Sequence, residues 1–67
     1  MLMALRELAE RTSDGLVVHL LWDPARNQAV LRYRDWRSGD NFMTDVPNEW
    51  ALAAFEHPNA YRPAAAA

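Results

Sequence analysis

Apolar residues recur over the first eleven positions with a helical period. Leu2, Leu5, Leu8 and Ala9 fall on one stripe, while Arg6–Glu10 and Glu7–Arg11 pair four apart on the other side. This spacing predicts a helix over Met1–Arg11, ended by the turn formers Thr12-Ser13-Asp14-Gly15. From Leu16 the pattern changes. Leu16–Trp22 (LVVHLLW) is aliphatic and β-branched, and too short for a helix, so it predicts a well-buried strand. Asp23-Pro24-Ala25-Arg26 has type I turn chemistry, Gln28–Trp36 reads as a second strand, Arg37-Ser38-Gly39-Asp40 turns the chain again, and Asn41–Val46 is the third. Pro47, Asn48 and Glu49 suit a helix start. That helix, 48–57, runs through Trp50, Ala51, Leu52, Ala54 and Phe55 until Pro58 stops it. Asn59–Tyr61 is expected to fold back, and the Ala-rich tail 62–67 to fray. The predicted fold class is α+β: a three-stranded antiparallel meander with an N-terminal and a C-terminal helix (α-β-β-β-α), one domain over 1–61.

Register sorts these positions into faces. If both turns are four-residue loops, Trp22 faces Asn27 and Trp36 faces Asn41. One face then carries Leu16, Val18, Leu20, Trp22, Ala29, Leu31, Tyr33, Phe42, Thr44 and Val46, a core that helix 48–57 can cover. Trp22 and Trp50 belong to that core. The other face holds Val17, His19, Leu21, Val30, Trp36 and Met43 beside Arg32, Arg34, Asn41 and Asp45, with Arg32 opposite Asp45 as a cross-strand ion pair. A one-residue slip of either strand would mix polar and apolar residues on both faces. Five large apolar groups on a face that should be wet need a cover, supplied by the N-terminal helix, by a second copy, or by both.

Totals narrow the class. Sixty-seven residues make one domain whose single core yields about 3–5 kcal/mol of net stability. Such chains usually add disulfides, a metal or oligomerisation. Without Cys, disulfides and thiolate chemistry are excluded, which leaves oligomerisation. The 51% hydrophobic and 24% charged composition is that of a globular chain. No apolar run approaches the roughly 20 residues of a membrane span, and Met1–Thr12 has no signal-peptide h-region, so a soluble, cytoplasmic domain is expected. Net charge is −2 but unevenly placed: residues 26–37 hold Arg26, Arg32, Arg34 and Arg37 against Asp35, a local +3 that leaves −5 elsewhere.

Catalytic chemistry finds little support. His19 and His57 show no HxH, HExxH or HxxE spacing and read as structural, His57 as a helix-end partner. Asp35, Asp40 and Asp45 recur every five residues but match turn and ion-pair chemistry rather than a cation loop or a carboxylate pair. Ser13 and Ser38 lie in turns, and two glycines, Gly15 and Gly39, make no phosphate loop. No metal, cofactor or catalytic residue is assigned, and the chain is not read as an enzyme.

The runs LLWDPARN, VLRYRDWRSGDNF and VPNEWALAAFEHPNAY, spanning Leu20–Tyr61, resemble small hypothetical proteins of actinobacterial type. In those, a β-meander is followed by Val-Pro, Ala-Leu-x-Ala-Phe and His-Pro. The resemblance implies a self-contained meander–helix domain and a Tyr61 packed back on the core, and it carries no activity to transfer.

The leading functional reading is a non-catalytic protein-interaction or self-association module, most simply a homodimer, with Leu5, Val17, Leu21, Val30, Trp36 and Met43 as the candidate interface. The alternative is a nucleic-acid module using Arg32, Arg34, Trp36 and Arg37, since sheet-borne Arg and aromatic side chains can enter grooves or stack on bases. The acidic total charge and the missing Lys weigh against it.

Overall fold

The computed structural model describes residues 5–63. Its strands are β1 (Arg6–Ser13), β2 (Leu16–Asp23), β3 (Gln28–Asp35) and β4 (Asn41–Val46), in the order β1-β2-β3-β4, each antiparallel to its neighbour. A 3-10 turn, Asn48–Trp50, leads into the short helix α1 (Ala51–Glu56), and a second 3-10 turn covers Pro58–Tyr61. The three-stranded meander with a helix at each end is therefore corrected to a four-stranded meander with one short helix after it.

The correction is at the N-terminus. Arg6–Arg11, expected to be helical, is edge strand β1; Met1–Ala4, the rest of that expected helix, lies outside the described residues. Asp14 and Gly15 both take positive φ, 51° and 82°, with Ser13 and Leu16 paired on either side. A two-residue Asp-Gly loop of that conformation is the tight hairpin connection whose twist matches the flanking strands. It turns the chain straight back along β2 and saturates the backbone of a very apolar strand. That gain overrides the weak helical preference of RELAER.

The other two hairpins are where the sequence places them, with register shifted. Asp23 pairs with Gln28 and Trp22 with Ala29, so the Trp22–Asn27 alignment is wrong by two residues. Arg34, not Trp36, faces Asn41. A slip of two preserves side-chain parity, so each strand keeps its predicted face. The first loop closes with the Asp23 carboxylate accepting from the Ala25 and Arg26 amides, and Asn27 takes φ 54°. In the second, Asp35 and Asp40 close the turn, and the Trp36 amide donates to the Gly15 carbonyl at 2.9 Å, tying both turns at this end together.

One sheet face makes the core. Val18, Ala29, Leu31, Tyr33 and Val46 are buried against Ala54, with Leu16, Trp22, Phe42, Ala51, Phe55 and Tyr61 packed around them. The expected helix 48–57 is shortened because 48–50 is a 3-10 turn. Trp50 is 54% exposed, so it lies outside the core assigned to it. Asn48 anchors this turn to the sheet instead: its side chain accepts from the Ala29 amide and donates to the Asn27 carbonyl. Two arginines lock the other end. Arg11 of β1 donates to the Phe55 and Glu56 carbonyls, satisfying the C-terminal end of α1 that has no intrahelical partner. Arg62, from the segment read as a tail, lies over the stacked rings of Tyr33 and Phe42 and bonds Asp40 at 2.7 Å; residues 64–67 lie outside the described residues.

Candidate functional site: the open face of the sheet

Since α1 and both 3-10 turns pack on one face, the other is left to its own side chains. Pairing across the sheet arranges them in three rows: Glu7–Leu21–Val30–Asp45, Glu10–His19–Arg32–Met43 and Thr12–Val17–Arg34–Asn41. Every interface candidate on a strand, Val17, Leu21, Val30 and Met43, lies on this face. Leu5 joins them by lining two shallow hollows, one with Leu21, Arg32 and Met43, the other with Val30 and Asp45. Leu21 and Val30 are already buried by their neighbours, whereas Leu5 and Met43 stay open, at 38% and 56% exposure. No element among the described residues covers them.

Trp36 departs from expectation. It sits in the β3–β4 turn rather than on a strand, 67% exposed, with the Arg34 guanidinium 5.1 Å from its ring centre. It borders the face instead of anchoring its middle. Arg37 does not join the cluster. Its stem lies against Gly15, where an added Cβ would come within 3.0 Å of Cγ, and its Nε is 3.8 Å from Asp35.

A bulge in β1 decides the charge pattern. Glu7 pairs with Leu21 and Ala9 with Leu20, leaving Leu8 as the extra residue. Residues three apart on a regular strand point to opposite faces; the bulge puts Glu7 and Glu10 on the same one. They bracket His19, with Glu7 Oε1 2.6 Å from Nδ1 and Glu10 Oε2 3.4 Å from Nε2. Sequence reading missed this trio because it placed both glutamates on a helix; the Asp14-Gly15 hairpin signal would have aligned Glu10 with His19. Their ligand atoms lie within 4.8 Å of one another, close enough for a divalent metal. Each imidazole nitrogen already faces a carboxylate, however, so a metal would have to displace one of them. The trio is read as bracing of β1 on β2.

The arginine-rich segment is half neutralised. Arg26 forms a bidentate pair with Asp45, at 2.8 and 2.9 Å, and a third bond to Asp23 at 2.7 Å. Those hydrogen bonds hold the Asp23 and Asp45 carboxyls below the usual aspartate value and push Arg26 up. Asp45 thus pairs with Arg26, and the expected Arg32–Asp45 pair does not form, Asp45 standing opposite Val30. Among the described residues Arg32 and Arg34 enter no salt bridge. The face therefore has an acidic flank on β1, two free guanidinium groups on β3, and an apolar middle.

Fold and face together define the class: an antiparallel meander, helix-covered on one side and open on the other. No protein-family model matches the chain, and neither does any curated protein or solved structure. No helix of the described residues is long and apolar enough to cross a membrane.

Proposed function

We propose that this chain is a non-catalytic self-association module that docks through the open face of its sheet. The observation that carries the reading is the exposure of Leu5 and Met43 beside a buried Leu21 and Val30, on a face no other element covers. Arg6–Arg11 of the helix expected to cover it is strand β1, so the cover has to come from outside the described residues. A second copy supplies it most directly, because a small core gains most from oligomerisation. Catalysis has little to work with: the hollows are shallow, arginines engage Asp23, Asp40 and Asp45, and His19 engages Glu7 and Glu10. Sedimentation at micromolar concentration tests the reading. A dimer is expected, and Val17→Glu, which sets a charge in the apolar middle on β2, is expected to make it monomeric. A wild-type chain that stays monomeric across that range sinks the proposal.

A second reading rests on Arg34 stacked on Trp36 next to Arg32, an arrangement able to hold a nucleic-acid strand. Glu7, Glu10 and Asp45 share that face, and their charge repels phosphates. A gel shift with duplex and single-stranded DNA at two salt concentrations separates the readings. Phosphate contacts must give binding that weakens steeply with salt, and no shift is expected.

A further inference from the structure

We infer that the second copy docks about a two-fold axis lying in the interface parallel to β2, so that Glu10 of each copy meets Arg32 of its partner. This deepens the self-association reading and rests on it. Opposite charges lie on the two flanks of the open face. Relative to β2, Glu7 and Glu10 lie one strand to one side, and Arg32 and Arg34 one strand to the other. Each flank is displaced from β2 by about 4.8 Å. Both arginines lack an intramolecular ion pair among the described residues. Two faces can be stacked by a two-fold along the strands or by one across them. Across the strands, β1 would lie over the partner's β1 and the glutamates would repel. Along β2, β1 lies over the partner's β3, and opposite charges meet in both halves of an isologous contact.

The rows give the register. Glu10, His19 and Arg32 occupy one row, so rotation about β2 leaves Glu10 level with the partner's Arg32 and brings His19 to the axis. Glu7 lies one row away and closes on the same guanidinium. Val17 and Leu21 face their own copies on either side of His19. The twist of each sheet sets the two β2 strands roughly 30° apart, the ordinary aligned packing of two sheets, so the axis bisects that angle and runs along β2 only to within its half. Edge-to-edge pairing is discouraged instead, because the β1 edge carries a bulge and charged side chains.

Charge reversal tests the geometry. Glu10→Arg puts two like-charged contacts into its homodimer, and Arg32→Glu does the same with the opposite sign. Each variant alone is expected to dimerise more weakly by roughly tenfold or more per reversed contact. Mixed in equal amounts, the two variants are expected to form a heterodimer, in which both contacts are again attractive; circular dichroism confirms that each is folded. Recovery of dimer in the mixture, and only there, supports the axis along β2. A wild-type dimer that Val17→Glu breaks but the reversals leave intact overturns this axis while self-association stands. A wild-type monomer overturns both.

Discussion

Three arginines do structural work that composition conceals. Arg11 reaches from β1 to the last carbonyls of α1 and lies 5.5 Å from the Phe55 ring centre. Hydrogen bonds from a charged donor contribute about 1.5–3 kcal/mol, discounted here because one of the two is solvent-exposed. Arg11→Met keeps the apolar stem and removes both donors, so we expect a loss of about 1–2 kcal/mol. In a thermal melt that is a drop of roughly 5–15 °C. An unchanged melt would show that α1 ends without this help. Arg26 and Arg62 act on the pH scale. Their hydrogen bonds depress the carboxyls of Asp23, Asp45 and Asp40 in the folded chain. A group with a lower folded than unfolded value binds fewer protons when folded, so unfolding takes protons up. The stabilisation is therefore present above the ordinary aspartate value of about 4 and fades as pH falls below it. Urea midpoints measured from neutrality down to acid should decline below about pH 4, and Asp45→Asn should make the decline shallower.

At the level of elements, turns settled the fold more than strands did. Gly15 has φ 82° and almost no room for a Cβ, whereas Gly39 has φ 77° with nothing nearby. Alanine at either site meets the backbone cost of a left-handed conformation, about 1–2 kcal/mol. Gly15→Ala must also push Arg37 aside, so in urea denaturation it is expected to be the more damaging of the two. Equal losses would mean that Arg37 yields freely. The same turn explains what was and was not legible. β2, β3 and β4 are plain in the sequence because their apolar positions alternate or run continuously, and faces survive a two-residue slip. β1 is not, because the bulge at Leu8 breaks its period of two, leaving Leu5, Leu8 and Ala9 at a spacing that mimics a helix. The open apolar face was readable from β2–β4 alone. The Glu7–His19–Glu10 trio, and with it the acidic flank, depends on β1, which only the Asp14-Gly15 turn announces, and on its bulge, which no local pattern announces. Trp36 and Trp50 were misplaced for a related reason: Trp36 sits one residue beyond β3 and Trp50 in the 3-10 turn before α1, where neither strand parity nor the helical period fixes a side chain's face.

For the whole molecule, the open face links stability to concentration. The contact about β2 presents about 330 Å² in plan, taking three overlapping strands 4.8 Å apart and some seven residues long. With side-chain relief, two such faces bury roughly 900 Å² in total, an area typical of weak, transient interfaces. Dimerisation of micromolar strength is the corresponding expectation. A dimer that forms only from folded chains adds its binding free energy to a core worth about 3–5 kcal/mol. Raising the concentration from near the dissociation constant to a hundredfold above it should raise apparent stability by roughly 2–3 kcal/mol. For a domain of this length, that moves the melting temperature by roughly 10 °C or more. Arg11→Met lowers the whole curve but leaves its slope, since Arg11 points to the helix side. Val17→Glu flattens the slope, because its charge sits in the middle of the open face. Melting curves over two decades of concentration separate these effects, and a wild-type melting temperature independent of concentration would mean that the folded chain leaves this face to water.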